Sequence, residues 1–168
     1  DWSSDVCSSD LVGTELLRLL AGHPHLDVAY AAGDSQAGSL ASAIAPSLAA
    51  AYPDLVVEEL DAGRARECDV VFLALPHEAS MALVPELVDR VRLVVDLSAA
   101  FRLADAAAYP RWYGFSHSAP ELLARAAYGL PELGRDRLRG ATLVATPGCY
   151  VTAASLALRP LVEAGVID

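Results

Sequence analysis

Basic residues are scarce in this chain: 12 Lys and Arg stand against 22 Asp and Glu, for a formal net charge of −10 over 168 residues. An acidic surface repels phosphate backbones and anionic headgroups, which excludes a nucleic-acid or anionic-membrane partner and leaves a small molecule as the expected one. Long apolar runs are missing as well, none approaching the roughly 18 residues of a membrane span, and the N-terminus lacks the basic and apolar regions of a signal peptide. A cytoplasmic location is the expectation. Cysteine is scarce too, three residues with no CxxC pair, so neither a disulfide framework nor a structural zinc site is indicated, and no metal is expected. What is abundant is apolar side chain, 54% of the total, enough for a sizeable core in one domain or one domain and part of a second.

The first eleven residues hold a near-repeat, Ser3-Ser4-Asp5-Val6-Cys7 and Ser8-Ser9-Asp10-Leu11-Val12, with neither strand nor helix periodicity. They are read as a cloning or sequence-assembly scar. From Gly13 onward short apolar strands alternate with amphipathic helices, the pattern of a doubly wound α/β sheet. Helices are predicted over residues 14–21, 62–67, 78–90 and 152–163. Strands are predicted over 26–32, 70–75, 93–97 and 141–145, with a further edge strand over 55–60. The run Val70-Val71-Phe72-Leu73-Ala74-Leu75 does not alternate, which suits burial on both faces, and Pro76 stops it. Residues 98–133 are punctuated by Pro110, Gly114, Pro120, Gly129 and Pro131 and are predicted to be irregular. Cys68, just before a strand, is expected to be a buried packing residue.

Ligands of such sheets bind beyond the carboxyl ends of the strands, where the loops at residues 33–38, 76–80 and 98–102 would open. Cys149 would open on the same edge. In Ala145-Thr146-Pro147-Gly148-Cys149-Tyr150 a Pro-Gly turn delivers a lone thiol to the start of a helix, where unpaired N–H groups and the helix dipole stabilise a thiolate nucleophile. A lone cysteine is also a common core filler, and the turn leaves the two readings evenly balanced. Among the histidines, His77 is expected to be structural or a ribose contact, His117 a hydrogen-bonding scaffold, and His23 and His25 solvated surface residues beside Pro24. Met81, Trp112 and Tyr113 are expected to pack.

Several landmarks occur together and in order: Phe72-Leu73-Ala74-Leu75-Pro76-His77, Val95-Asp96-Leu97-Ser98-Ala99-Ala100-Phe101-Arg102-Leu103, Trp112-Tyr113-Gly114, Pro120-Glu121-Leu122-Leu123, Tyr128-Gly129-Leu130-Pro131-Glu132-Leu133 and Pro147-Gly148-Cys149-Tyr150. The series closely resembles the N-acetyl-gamma-glutamyl-phosphate reductase family of arginine biosynthesis, from Gly13 to Asp168. The resemblance implies a Rossmann-like NADP-binding domain over residues 12–147 and, over 148–168, the first helix of a truncated α+β catalytic and dimerisation domain. It implies NADPH-dependent reduction of an acyl phosphate to a semialdehyde through a thioester on Cys149, in a cytoplasmic homo-oligomer. Arg102 and Ser98 would then contact substrate or its phosphate. Gly13, Asp34, Ser35, Ala74, Leu75, Pro76, Ser98 and Gly148 would line the cofactor.

The chain also departs from that pattern. The family opens on a Gly-x-x-Gly-x-x-Gly loop that lets backbone approach the cofactor pyrophosphate, and only its last glycine, Gly13, is present; Asp10 and Cys7 hold the other two positions. Poor NADP binding is therefore expected. The family's catalytic base is a histidine of its second half, which no position here matches, so negligible turnover is expected. Thr146 stands where Asn is usual, Val151 where Pro is frequent and Ala100 where Asp is frequent. Asp34, about 20 residues past Gly13, suits the ribose hydroxyl of NAD, whereas the family implies NADP with Ser35 near its 2′-phosphate, so NAD stays open. Competing readings are a sibling reductase acting on aspartyl or aminoadipyl phosphate, and an inactive nucleotide-binding fragment.

Overall fold

The computed structural model describes residues 9–167, which fall in two compact units, one ending at Cys68 and one beginning at Asp69. The first holds α1 (Ser9–Leu20), α2 (Ala41–Ile44), a 3-10 turn at Pro46–Leu48 and α3 (Ala62–Ala65). Helix α1 starts five residues before the predicted Thr14. Gly13 lowers helix propensity by only about 1 kcal/mol against alanine and no proline intervenes, so the helix that Leu16 and Leu17 nucleate extends back through Val12 and Leu11, one hydrogen bond per residue added. Residues 1–8, the bulk of the presumed scar, lie outside the described residues.

The predicted strand at residues 26–32 is not a regular strand. It meets the 55–60 segment at one isolated parallel bridge, Ala32 with Glu58, carried by Glu58 N–H to Ala31 O (2.9 Å) and Gly33 N–H to Glu58 O (3.0 Å). The predicted edge strand at 55–60 is likewise reduced to that bridge and an antiparallel one, Leu40 with Val56. Extended backbone becomes a strand only where a neighbour runs alongside it, and here pairing lasts for single residues. Gly38 reverses the chain at φ +85°, a conformation open chiefly to glycine, so that Gly38 N–H and Ser39 O both bond to Val57. The unit's apolar centre is Ala41, Ala45 and Leu48, with Leu17, Tyr52 and Leu55 packed against it. Asp61 caps α3, its carboxylate accepting from the N–H groups of Gly63 (2.6 Å) and Arg64 (3.3 Å).

The second unit is a four-stranded parallel sheet with helical connections, a Rossmann-like α/β arrangement. Its elements are β1 (Val70–Leu73), α4 (His77–Leu87), β2 (Leu93–Asp96), α5 (Tyr109–Trp112), β3 (Ala126–Tyr128), α6 (Pro131–Leu138), β4 (Leu143–Ala145) and α7 (Cys149–Glu163). The strand order is β1-β2-β4-β3. Strand β3 falls inside the stretch predicted to be irregular: Ala126-Ala127-Tyr128 has weak strand propensity alone and is made a strand by pairing with β4. Continuous burial belongs to β4, all three of whose residues are buried, rather than to β1, whose Val70, Val71 and Phe72 are half-buried at the sheet edge. Helix α4 packs on β2 and contributes Met81, Val84 and Leu87 to the core. Tyr109 is fully buried and its hydroxyl accepts from Leu103 N–H (3.0 Å), so residues 98–119 are looped but tightly anchored.

Candidate active site

Parallel pairing decides where the chemistry gathers. Leu73 is level with Asp96, and Asp96 with Ala145, so the loops leaving β1, β2 and β4 all emerge on one edge of the sheet. The ladder runs one residue further, through Leu97 N–H to Leu73 O and Thr146 N–H to Asp96 O, both 2.9 Å. These bonds hold the three loops in fixed register. Ala74 and Leu75 are half-buried on the β1 loop, and Pro76, exposed, stands at the N-terminus of α4.

The β2 loop is organised by a fully buried carboxylate. Asp96 Oδ1 accepts from Ser98 N–H (3.1 Å) and Oδ2 from the Ser98 hydroxyl (2.8 Å), while Ser98 Oγ accepts from Ala100 N–H (3.0 Å). Burial pushes the Asp96 carboxyl above its ordinary value of 3.8, and the Ser98 bonds and the Arg102 charge oppose that rise. Ser80 Oγ, wholly buried on α4, also lowers it, although it makes no hydrogen bond of standard geometry. Ser98 is thus buried, with its hydroxyl engaged by the Asp96 carboxylate and Ala100 N–H.

Arg102 closes the β2 loop onto the β4 loop. Its Nε donates to Thr146 O (2.7 Å) and its Nη2 to Leu97 O (2.9 Å). Beyond Thr146 the chain turns through Pro147 and Gly148, the latter extended at φ −68°, ψ 155° immediately before α7. Cys149 is the first residue of that helix, three residues earlier than predicted, and it is exposed. In this chain the thiol is open to solvent. Cys68, by contrast, is half-buried and directs its thiol to Arg64 O (3.8 Å).

The remaining candidates sort by unit. In the first unit Gly13 lies inside α1, and Asp34 and Ser35 are exposed at a turn. In the second, His77 stacks on Phe115 (ring centroids 4.4 Å apart) and pairs with Glu78 at 2.9 Å. His117 accepts at Nδ1 from Ala119 N–H (3.1 Å), which places its proton on Nε2, donated to Ala100 O (2.7 Å). Both ring nitrogens are occupied, the scaffold role predicted for it. Met81 is buried as predicted, whereas Trp112 is 67% exposed beneath Arg111 rather than packed. It stands at the last position of the short helix α5, where the chain leaves the anchored Tyr109. Sequence reasoning passed over Asp96 and treated Thr146 only as a departure. The available signal was an acidic residue ending an apolar strand with serine two positions on, a pattern for a side chain that hydrogen-bonds nearby backbone.

Residues 6–141 match the family described as semialdehyde dehydrogenase, NAD binding domain. The chain belongs to this semialdehyde dehydrogenase family. It is 51% identical over 156 residues to the N-acetyl-gamma-glutamyl-phosphate reductase of Pseudomonas aeruginosa PAO1, covering 93% of this chain and 45% of that protein. It is 49% identical over 165 residues to the protein of the same name from Methanopyrus kandleri, covering 97% of this chain and 48% of the relative. An Azotobacter vinelandii protein of that name is 49% identical over 156 residues, 93% of this chain and 45% of its own length. The chain therefore spans about half the length of these relatives, whose names supply the context for the exposed Cys149.

A semialdehyde dehydrogenase NAD-binding domain implies a nicotinamide cofactor, and the residues of the first unit can be tested against its pyrophosphate. Such a group needs a tight turn whose free N–H groups begin a helix. Gly13 instead lies in the interior of α1, and open space surrounds the position where its Cβ would stand. Interior helical N–H groups bond within the helix, so this stretch does not fit the pyrophosphate. Among the described residues no helix is long and apolar enough to cross a membrane.

Proposed function

We propose that the protein of which this chain is a part reduces N-acetyl-gamma-glutamyl phosphate to N-acetylglutamate 5-semialdehyde with NADPH, releasing phosphate, and that Cys149 is its nucleophile. The observation that carries this reading is the exposed thiol at the first position of α7, on the sheet edge where loops from β1, β2 and β4 converge. In the acyl-transfer half of the reaction the thiol first loses its proton. The thiolate then attacks the acyl carbon, a C–S bond forms, and the bond from carbon to the phosphate oxygen breaks, leaving a thioester and inorganic phosphate. Arg102, whose Nη1 lies beside the turn at Gly148, is the proposed ligand of the phosphate oxygens, and a guanidinium suits that anion.

The proposed chemistry of this chain stops at the thioester, because the described residues of the first unit do not fit a pyrophosphate. The domain division proposed with this reading is 12–147 for the dinucleotide-binding part and 148–168 for the opening of the catalytic part. Neither His77 nor His117 is offered as the base, since one is stacked and paired and the other has both nitrogens engaged. The isolated chain is accordingly proposed to acylate without turning over.

The test is peptide-resolved mass spectrometry of the chain after exposure to N-acetyl-gamma-glutamyl phosphate. A hydroxylamine-labile adduct should form on Cys149, faster than on glutathione in the same tube, and should be absent from Cys149→Ser. Acylation of Cys149 no faster than of glutathione would overturn the nucleophile assignment. Phosphate-dependent oxidation of N-acetylglutamate 5-semialdehyde by the isolated chain would overturn its proposed lack of turnover.

A further inference from the structure

We infer that Arg102 is a positioning residue for Cys149. With Asp96, Ser98 and Thr146 it forms a polar bracket that fixes the Thr146-Pro147-Gly148 turn, and with it the first turn of α7, against the β2 loop. The inference rests on the reading of Cys149 as nucleophile and adds to it the group that sets where the thiol stands.

The guanidinium spans two carbonyls of two different loops, Thr146 O at 2.7 Å from Nε and Leu97 O at 2.9 Å from Nη2. The same loops are tied again by Thr146, whose N–H and hydroxyl both donate to Asp96 O, at 2.9 and 3.2 Å. The β2 side of the bracket is itself made rigid by the Asp96 carboxylate and Ser98, which bond residues 96, 98 and 100 together. On the β4 side the bracket grips Thr146, three residues before Cys149.

The grip is transmitted forward by short links. Gly148 O accepts from Thr152 N–H (2.9 Å) and from the Thr152 hydroxyl (3.0 Å), the first bonds of α7. A Cβ at position 148 would come within 3.3 Å of Arg102 Nη1, so the guanidinium lies directly against the turn. Two acceptors held in fixed directions match a planar fork of donors, which a lysine ammonium, a single point charge on a flexible stem, cannot reproduce. Charged donors also make the stronger bonds to carbonyl oxygen. Asp96 and Arg102 therefore divide the work: the carboxylate orders the loop, and the guanidinium delivers that order to the nucleophile.

The test is the rate at which iodoacetamide alkylates Cys149 in the 168-residue chain, read by peptide mass spectrometry beside Cys68 as an internal reference. Arg102→Ala should slow Cys149 by about threefold or more, the size of a helix-terminus effect on an anion, and leave Cys68 unchanged. Millimolar methylguanidinium should restore the lost rate, and methylammonium at equal concentration should not. A general loss of folding would slow neither residue selectively and would not discriminate between the two cations. Arg102→Lys, which keeps the charge, is the second variant should the alanine form not fold, and it should show the same loss. An unchanged Cys149 rate in either folded variant, or equal rescue by both cations, would overturn the bracket. A bracket that passes while Cys149 is not acylated by the acyl phosphate would instead overturn the nucleophile reading and leave the positioning role in place.

Discussion

Asp96 shows how a single carboxylate can organise a loop and still oppose folding. It is fully buried, and the desolvation of its charge outweighs the Ser98 bonds and the Arg102 charge, so its carboxyl titrates above 3.8 in the folded protein. A group raised on folding contributes stability that is complete below its unfolded value and is lost as pH rises through its folded one. In the parent, therefore, the Asp96 contribution falls as pH rises from 3.8 into the range above it. Asp96→Asn carries no such dependence. The difference in thermal midpoint, Asp96→Asn minus parent, should grow more positive as pH rises from about 4 to about 7. A difference that is flat or falls with pH would show that the charge is not penalised by burial. Thr146 offers a companion measurement. Thr146→Val deletes the hydroxyl bond to Asp96 O but keeps the N–H bond, so it should cost about 1 kcal/mol in urea unfolding, the net worth of one hydrogen bond.

At the scale of elements, β3 and β4 meet more closely than side chains ordinarily permit. Gly129 N–H donates to Ala145 O at 2.8 Å, and a Cβ on Gly129 would come within 2.5 Å of Val144 Cγ1, with Ala145 O at 3.4 Å. Both neighbours belong to the wholly buried β4, which cannot give way. Gly129→Ala should therefore destabilise the chain by about 1–3 kcal/mol, the range for overpacking a core, measured as a lower urea midpoint at unchanged slope. Helix α7 is the opposite case, for none of its residues is buried and Leu158 and Val162 are 50% and 52% exposed. Val162→Gln should move the thermal midpoint of this chain by no more than about 0.5 kcal/mol equivalent. These contrasts also mark what the sequence made legible. Unbroken apolar runs placed β1, β2 and β4, because strong local patterns sufficed, and the Pro-Gly turn marked Cys149 as the opening of α7 although periodicity alone began that helix three residues later. Strand β3 was hidden because Ala-Ala-Tyr pairs only when β4 is alongside, and residues 26–32 were overread because a strand pattern found no continuous partner. Of the proposed site, the place of Gly148 and Cys149 at the opening of α7 was legible in the Pro-Gly turn. The Asp96–Thr146 junction was not, since it is formed by backbone carbonyls brought level only by sheet register.

The whole molecule combines high likeness with partial span. About half of its residues are identical to reductases over 93–97% of its own length, yet that match covers only 45–48% of theirs. The edge carrying Cys149 is tied together by hydrogen bonds, from the Asp96 carboxylate to the Arg102 fork. The stretch around Gly13 does not fit the cofactor pyrophosphate. A pyrophosphate is held by N–H groups that no helix has claimed, and by glycines that let it come close to the backbone. Gly13 supplies neither condition, because α1 begins four residues before it and the N–H groups around it lie within the helix. The chain's net charge of −10 adds a general repulsion toward a polyanionic ligand. Titration of the chain into NADPH should therefore produce no saturable enhancement of nicotinamide fluorescence in the micromolar range, and NADH should behave alike. Saturation by NADPH at micromolar concentration would show that the pyrophosphate can be held without that glycine turn. It would leave the assignment of Cys149 untouched, because the thiol's placement depends only on the β2 and β4 loops and the helix they start.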